Sequence, residues 1–272
     1  MTTLELEARL DNLLSTAQEE TASIDLFAPI QEREECPICL IPFPINNNEA
    51  KFRLCCGKMI CDGCMYKELC TDAEKTKFDQ SKPTGLCAFC RLPPVPGNTE
   101  IKCLRKLTKN KNPIAFIQLA LKYQAGDRVI QSNTKALEMY IRAAELGNSQ
   151  GYTYIGQCYQ EGLAVEQNLS KAFEFYEVSA KKGDYEAHKY LAKLHGRNDD
   201  FEKSVEHVKA AASAGDKDSM DMLMGAYKHK LLPKDDLTIT LRAFHASSYE
   251  MKSKDRDDAR LFEEMLRQRG RE

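Results

Sequence analysis

Residues 154–184 read YIGQCYQEGLAVEQNLSKAFEFYEVSAKKGD. The stretch divides at Gly162, a residue that readily takes the left-handed backbone which ends a helix. A second apolar-periodic run follows it and closes on Gly183-Asp184. Two short helices joined by a loop are therefore expected. Neither is apolar enough to bury a full face alone.

The same features recur on both sides. Small residues stand at Ala115, Gly151, Ala187 and Ser219, and eight positions after each comes Tyr123, Tyr159, His195 or Tyr227. Bulky residues follow at Tyr140, Tyr176, Val208 and Phe244, spaced by 36, 32 and 36. Three units close on Gly147-Asn148, Gly183-Asp184 and Gly215-Asp216. The third has lost four residues between its helices, and the fourth lacks its closing Gly. Helix pairs that cannot fold singly do fold when stacked, so an all-α solenoid of about four units is expected over 113–254. The pattern resembles the Sel1-like repeat, a relative of the tetratricopeptide repeat. The resemblance covers roughly 110–250. Repeats of this kind present surfaces to other proteins, which implies a protein substrate or partner on the repeat surface.

Nine of the eleven cysteines lie between Cys36 and Cys90. They fall as Cys36-x2-Cys39, Cys55-Cys56, Cys61-x2-Cys64 and Cys87-x2-Cys90, with Cys70 over. No apolar run approaches the roughly 20 residues of a bilayer span. The opening MTTLELEARL has no basic or apolar leader character, so a cytoplasmic or nuclear location with reduced thiols is expected. Paired cysteines there are metal ligands rather than disulfides. Turn formers such as Pro42, Pro44, Pro83, Gly85, Pro93 and Pro94 crowd the same segment. A metal has to replace the missing hydrophobic core.

The order CPIC, CGKMICDGC, CAFCR resembles a RING finger over about 34–95. The resemblance implies a small α+β domain with two Zn2+ ions in a cross-brace. It assigns Cys36, Cys39, Cys61 and Cys64 to one ion, and Cys55, Cys56, Cys87 and Cys90 to the other. Where the family commonly has a His, this chain has Lys58, and the region 36–112 contains no His. The eighth ligand is therefore another Cys or a carboxylate: Cys55, as in an all-cysteine variant, or, in reserve, Cys70. Adjacent Cys55 and Cys56 can reach one ion only if the chain bends sharply, and Gly57 suits such a bend. Lys58 would soften the formal charge of an all-thiolate site.

The RING family also implies a ubiquitin-protein ligase that binds a ubiquitin-conjugating enzyme and acts by positioning. Ile38 and Arg91 match the contact residues for that enzyme and for ubiquitin. Ala88 stands where the family usually has Pro. The other reading is a zinc-stabilised scaffold or adaptor without transfer activity. Four-thiolate sites leave no position for water, and no catalytic triad, phosphate-binding loop or paired carboxylates in a convincing frame stand out, so no residue is assigned as catalytic. RING plus Sel1 architecture resembles a diatom and algal family.

The remaining segments are plainer. Residues 1–35 carry nine Asp/Glu against two Arg. Leu4, Leu6, Leu10, Leu13 and Leu14 suit one short amphipathic helix, read as part of a loose acidic arm or, alternatively, as a partner-binding helix. The cysteine domain is set at 36–97. Residues 98–112 read as a basic linker with Lys102, Arg105, Lys106, Lys109 and Lys111, and residues 255–272 as a helix capping the repeats. A net charge of -2 gives no pull toward nucleic acid or membrane. Cys158 is expected in the repeat core.

Overall fold

The computed structural model describes residues 3–28, 33–43, 50–69, 87–90, 92–93 and 95–269. The chain divides into two compact units, 1–30 with 104–244 and 31–103 with 245–272.

The first unit is helical. Its repeats run α4 (Pro113–Ala125) and α5 (Asn133–Glu145), α6 (Ser149–Glu161) and α7 (Leu169–Lys181), α8 (Tyr185–Arg197) and α9 (Phe201–Ser213), then α10 (Lys217–Lys228) and α11 (Lys234–Glu250). The last of these helices continues past the unit boundary. Short polar side chains start the helices. Asn112, Ser132, Asn148, Asn168, Asp184, Asp200 and Asp216 each accept a hydrogen bond from a first-turn amide. Gly126 and Gly162 end α4 and α6 in the left-handed region, at φ 72° and 69°. The shortened loop of the third unit spans 198–200, against 126–132 and 162–168 in the first two.

The 36-residue period is a period of contacts. Tyr140 stacks on Tyr154 at 4.7 Å between centroids, and Tyr176 on Tyr190 at 5.0 Å. Tyr140 Oη donates to Gln124 Oε1 at 2.8 Å, and Tyr176 Oη to Gln160 Oε1 at 3.1 Å. Ala115, Gly151, Ala187 and Ser219 are all buried. A Cβ on Gly151 would lie 2.7 Å from the Ala144 amide nitrogen, so the missing side chain sets the spacing of α5 and α6. Cys158 lies in the core as expected.

The N-terminal segment differs from the loose arm read in the sequence. Helix α1 (Thr3–Glu20) puts Leu6, Leu10, Leu14 and Ala17 into the repeat core. It packs on α5 and α7. Its acidic side meets lysines, with Asp11 2.6 Å from Lys171 Nζ and Glu20 2.8 Å from Lys182 Nζ. The basic run expected as a linker is largely helix α3 (Glu100–Lys109), whose Leu104 and Leu107 are buried.

The second unit holds the antiparallel strands β1 (Ala50–Arg53) and β2 (Lys58–Cys61), paired from Ala50–Cys61 to Arg53–Lys58. Helix α2 (Asp62–Leu69) follows directly. Residues 255–272 were expected to cap the repeats. Instead α12 (Lys254–Arg269) packs on α2 within this second unit. Tyr66 and Phe262 meet with ring centroids 5.4 Å apart. A stripe of apolar residues in α12 reads the same against either surface, so the sequence could not say which one it covers.

Candidate metal centre

Eight cysteines of the second unit converge in two groups of four. The sulfurs of Cys36, Cys39, Cys61 and Cys64 lie within 4.8 Å of one another, as do those of Cys55, Cys56, Cys87 and Cys90. Cys39 Sγ and Cys61 Sγ are 3.8 Å apart, and Cys56 Sγ and Cys87 Sγ 3.7 Å. A disulfide would need about 2.05 Å. Four sulfurs around one tetrahedral ion, each about 2.3 Å from it, stand about 3.8 Å apart. The donor chemistry and the spacing both fit a metal ion in each cluster.

Local backbone explains the first cluster. Cys36 N–H donates to the Ile41 carbonyl at 3.0 Å and Leu40 N–H to the Cys36 carbonyl at 2.8 Å. Leu40 takes φ 56° to close this turn. Glu35 and Pro42 form an isolated bridge at its base. Cys36 and Cys39 therefore sit on one tight loop. Cys61 ends β2 and Cys64 lies in the first turn of α2. The Cys61 amide points at Cys36 Sγ and the Cys64 amide at Cys61 Sγ, each at 3.5 Å. A helix N-terminus with free amides favours negative sulfur.

The second cluster depends on the turn between the strands. Cys56 N–H and Gly57 N–H both donate to the Arg53 carbonyl, at 3.2 and 2.7 Å. Gly57 takes φ 73°, and with that bend two neighbouring cysteines face the same cluster. Cys87 N–H donates to the Leu92 carbonyl at 2.9 Å, so the last pair sits on a loop like the first. The reserve ligand Cys70 lies outside the described residues.

The thiols do not titrate alike. Burial raises Cys36 and Cys87, but amide and sulfur donors outweigh it and hold each at about 7. Burial pushes Cys55, Cys56, Cys61 and Cys64 up, with neighbouring sulfurs adding to the rise at Cys55 and Cys64. Four sulfurs this close cannot all shed protons without a cation between them. The apolar core is small as well. Among the described residues, Ile60 is the one aliphatic side chain in the buried cluster, alongside Cys36, Cys61 and Cys64, with Phe43, Met65 and Phe89 partly buried against it.

Other residues singled out in the sequence fare differently. Ile38 is 41% exposed at the tip of the first loop. Arg91 lies outside the described residues. Lys58 is exposed, and its backbone amide donates toward the Cys56 sulfur. Sequence reading missed Arg256 altogether. Its guanidinium reaches the first cluster, 3.9 Å from Cys39 Sγ, and draws the Cys61 thiol down against the effect of burial. Nothing in the charged run around it marks it out.

The Sel1 repeat family model matches residues 117–148, 149–184 and 186–216, so the chain carries Sel1 repeats there. No zinc-finger family model matches. The fourth helix pair lies beyond the matched repeats. Among solved structures, a Sel1 repeat protein from Oxalobacter formigenes is 26% identical, with a TM-score of 0.47, over 55% of this chain and 64% of that one. The protective antigen c5321 of uropathogenic Escherichia coli, which displays an SLR fold, is 27% identical, with a TM-score of 0.45, over 54% of this chain and 33% of that one. The chain thus spans under two thirds of either. No curated protein matches. Among the described residues, no helix is long and apolar enough to cross a membrane.

Proposed function

We propose that the chain is a zinc-stabilised adaptor: two closed Zn2+ sites fold the cysteine-rich unit, and the Sel1 repeats bind a protein partner. Cys36, Cys39, Cys61 and Cys64 hold one ion, and Cys55, Cys56, Cys87 and Cys90 the other. The observation that carries this reading is the pair of four-sulfur clusters at tetrahedral spacing. All-thiolate tetrahedra suit Zn2+, and four protein ligands leave no place for a reacting water. The ions are therefore structural.

The repeat array supplies the interaction surface. Helix α1 already covers α5 and α7, so the partner meets other faces. Met222, Leu231 and Ile239 on and between α10 and α11 are large, apolar and exposed. Leu231→Glu with Ile239→Glu is expected to abolish partner binding while leaving the metal content unchanged.

A ligase is the second reading, and the exposure of Ile38 at the tip of the first cysteine loop favours it. Autoubiquitination with a panel of conjugating enzymes separates the two. An adaptor gives no product from wild type or Ile38→Ala. Product from wild type that falls in Ile38→Ala would make the protein a ligase.

A further inference from the structure

Arg256, near the start of α12, is buried at 8% exposure. One guanidinium nitrogen donates to the Pro42 carbonyl at 2.8 Å and to the Met251 carbonyl at 2.7 Å. The other donates to the Ile41 carbonyl at 3.2 Å and lies 3.9 Å from Cys39 Sγ. Ile41 and Pro42 are the residues that close the first cysteine loop. The fork therefore grips that loop and touches a sulfur of the first cluster in one arrangement.

The helix carrying Arg256 is pressed against the other half of the same cluster. A Cβ on Gly63 would lie 2.7 Å from the Arg256 amide nitrogen and 2.8 Å from its Cγ. Gly63 sits between Cys61 and Cys64, so α12 approaches this backbone more closely than a side chain would allow. Arg33 adds a second tie between the 31–43 segment and the C-terminal residues, donating to Ser247 Oγ at 3.0 Å.

Charge explains why an arginine is here. Four thiolates around a divalent ion carry a formal charge of about -2, which is costly to bury alone. A guanidinium is costly to bury alone too, and it cannot escape by losing its proton. The oxygen partners of Arg256 are neutral carbonyls, so the cluster sulfurs supply its counter-charge. Each buried charge makes the other tolerable.

We propose that Arg256 is a positioning residue that couples the first metal site to the C-terminal helix, so that loading Cys36, Cys39, Cys61 and Cys64 and docking α12 on α2 are one equilibrium. This rests on the metal reading given under Proposed function. Linkage makes the coupling reciprocal: docking of α12 raises the metal affinity of the site by the same factor as metal binding favours docking. Outer partners of metal ligands typically contribute about 10- to 100-fold in affinity.

The test uses the full zinc-loaded chain, with chelator-driven metal release and amide hydrogen exchange over 254–269 read in parallel. Wild type is expected to hold two ions and protect α12. Arg256→Gln is expected to weaken zinc binding at one site about 10- to 100-fold, leave the other unchanged, and lose protection over 254–269. Lys67→Gln, which removes only an exposed ion pair to Asp255, is expected to behave as wild type. Cys36→Ser gives an arm independent of how well Arg256→Gln folds. It is expected to lose one ion and the α12 protection together, whereas Cys90→Ser loses one ion and keeps the protection. Retained α12 protection in Cys36→Ser, or unchanged zinc affinity at both sites in Arg256→Gln, overturns the coupling alone. A wild type that carries no metal overturns the metal reading itself.

Discussion

The Tyr176 ring occupies the place where a side chain on Gly156 would begin. A Cβ built on Gly156 lies 2.7 Å from Tyr176 Cε1, well inside contact distance. Gly156 is buried inside α6, where an alanine would otherwise favour the helix by about 1 kcal/mol. Overpacking costs about 1–3 kcal/mol and outweighs that gain. Gly156→Ala is expected to lower the unfolding midpoint. Gly225, inside α10, has nothing within 4 Å of the same built atom, so Gly225→Ala is expected to raise stability by about 0.5–1 kcal/mol. Urea titration of the two variants checks the contrast.

Helix α1 belongs to the repeat core, which fixes the effect of truncating it. Leu10 has no exposed surface and packs among residues of the repeats. Leu10→Ala is expected to cost about 2–5 kcal/mol, as for a fully buried leucine. A loose arm would give a change within about 0.5 kcal/mol, the range for surface positions. Thermal unfolding of wild type and variant separates these outcomes.

The sequence showed the repeats and the cysteine pairs because both are local patterns. Tyr140 and Tyr176 recur at the spacing of their contacts, and each C-x2-C is a single turn. The leucine stripe of α1 announced a helix, but periodicity says only that a face is apolar. It does not say what covers that face. Arg256 and Pro42 meet across 214 residues. No spacing rule reaches that far, and a lone arginine in a charged helix looks like solvent-facing charge.

Acid is expected to loosen the first unit through its histidines. His188 Nδ1 and His207 Nδ1 share a hydrogen bond of 3.0 Å, beside the Phe27 ring. His195 stacks on His207 with its Nδ1 3.4 Å from Asp200 Oδ2, while Lys203 adds positive charge nearby. Burial holds His188 at about 4, and burial with these neighbouring charges holds His207 at about 3, against an ordinary 6.5. The unfolded chain takes up these protons first, so stability falls as pH drops below 6.5 and levels off near 3.

Asp184 works in the opposite sense. Burial raises it to about 6 despite bonds from Thr153 and Ser179, so the native state gains its proton before the unfolded chain does. Burial raises Glu177 likewise. Acid therefore relieves a penalty at Asp184 between about 6 and 3.8, and acts in the same sense at Glu177. The two histidines outweigh the carboxyls, because the native state keeps both rings neutral where the unfolded chain is already protonated. The net loss is expected to be on the order of a few kcal/mol. Comparing wild type with His207→Gln at pH 7 and pH 4.5 isolates it, since release of any bound metal would affect both proteins equally. The variant is expected to lose less stability on acidification.

Asp184 also caps a helix, and that role has its own test. Its Oδ1 accepts from the Glu186 amide at 3.1 Å, and its Oδ2 from Thr153 Oγ1 at 2.7 Å. Asp184→Ala removes the cap, worth about 0.5–2 kcal/mol, and leaves Thr153 Oγ1 with Ser179 Oγ at 2.8 Å as its partner. Asp184→Asn keeps the oxygen that caps α8 and is expected to stay above the alanine variant. Denaturant midpoints at neutral pH check the order, with alanine below asparagine.

Most depends on whether sulfur-bound ions take the place of an oily interior around Ile60. Native mass spectrometry of the intact chain weighs this directly. Two zinc ions per chain are predicted, falling to one in Cys55→Ser and to one in Cys36→Ser. A well-ordered protein of metal-free mass would contradict it.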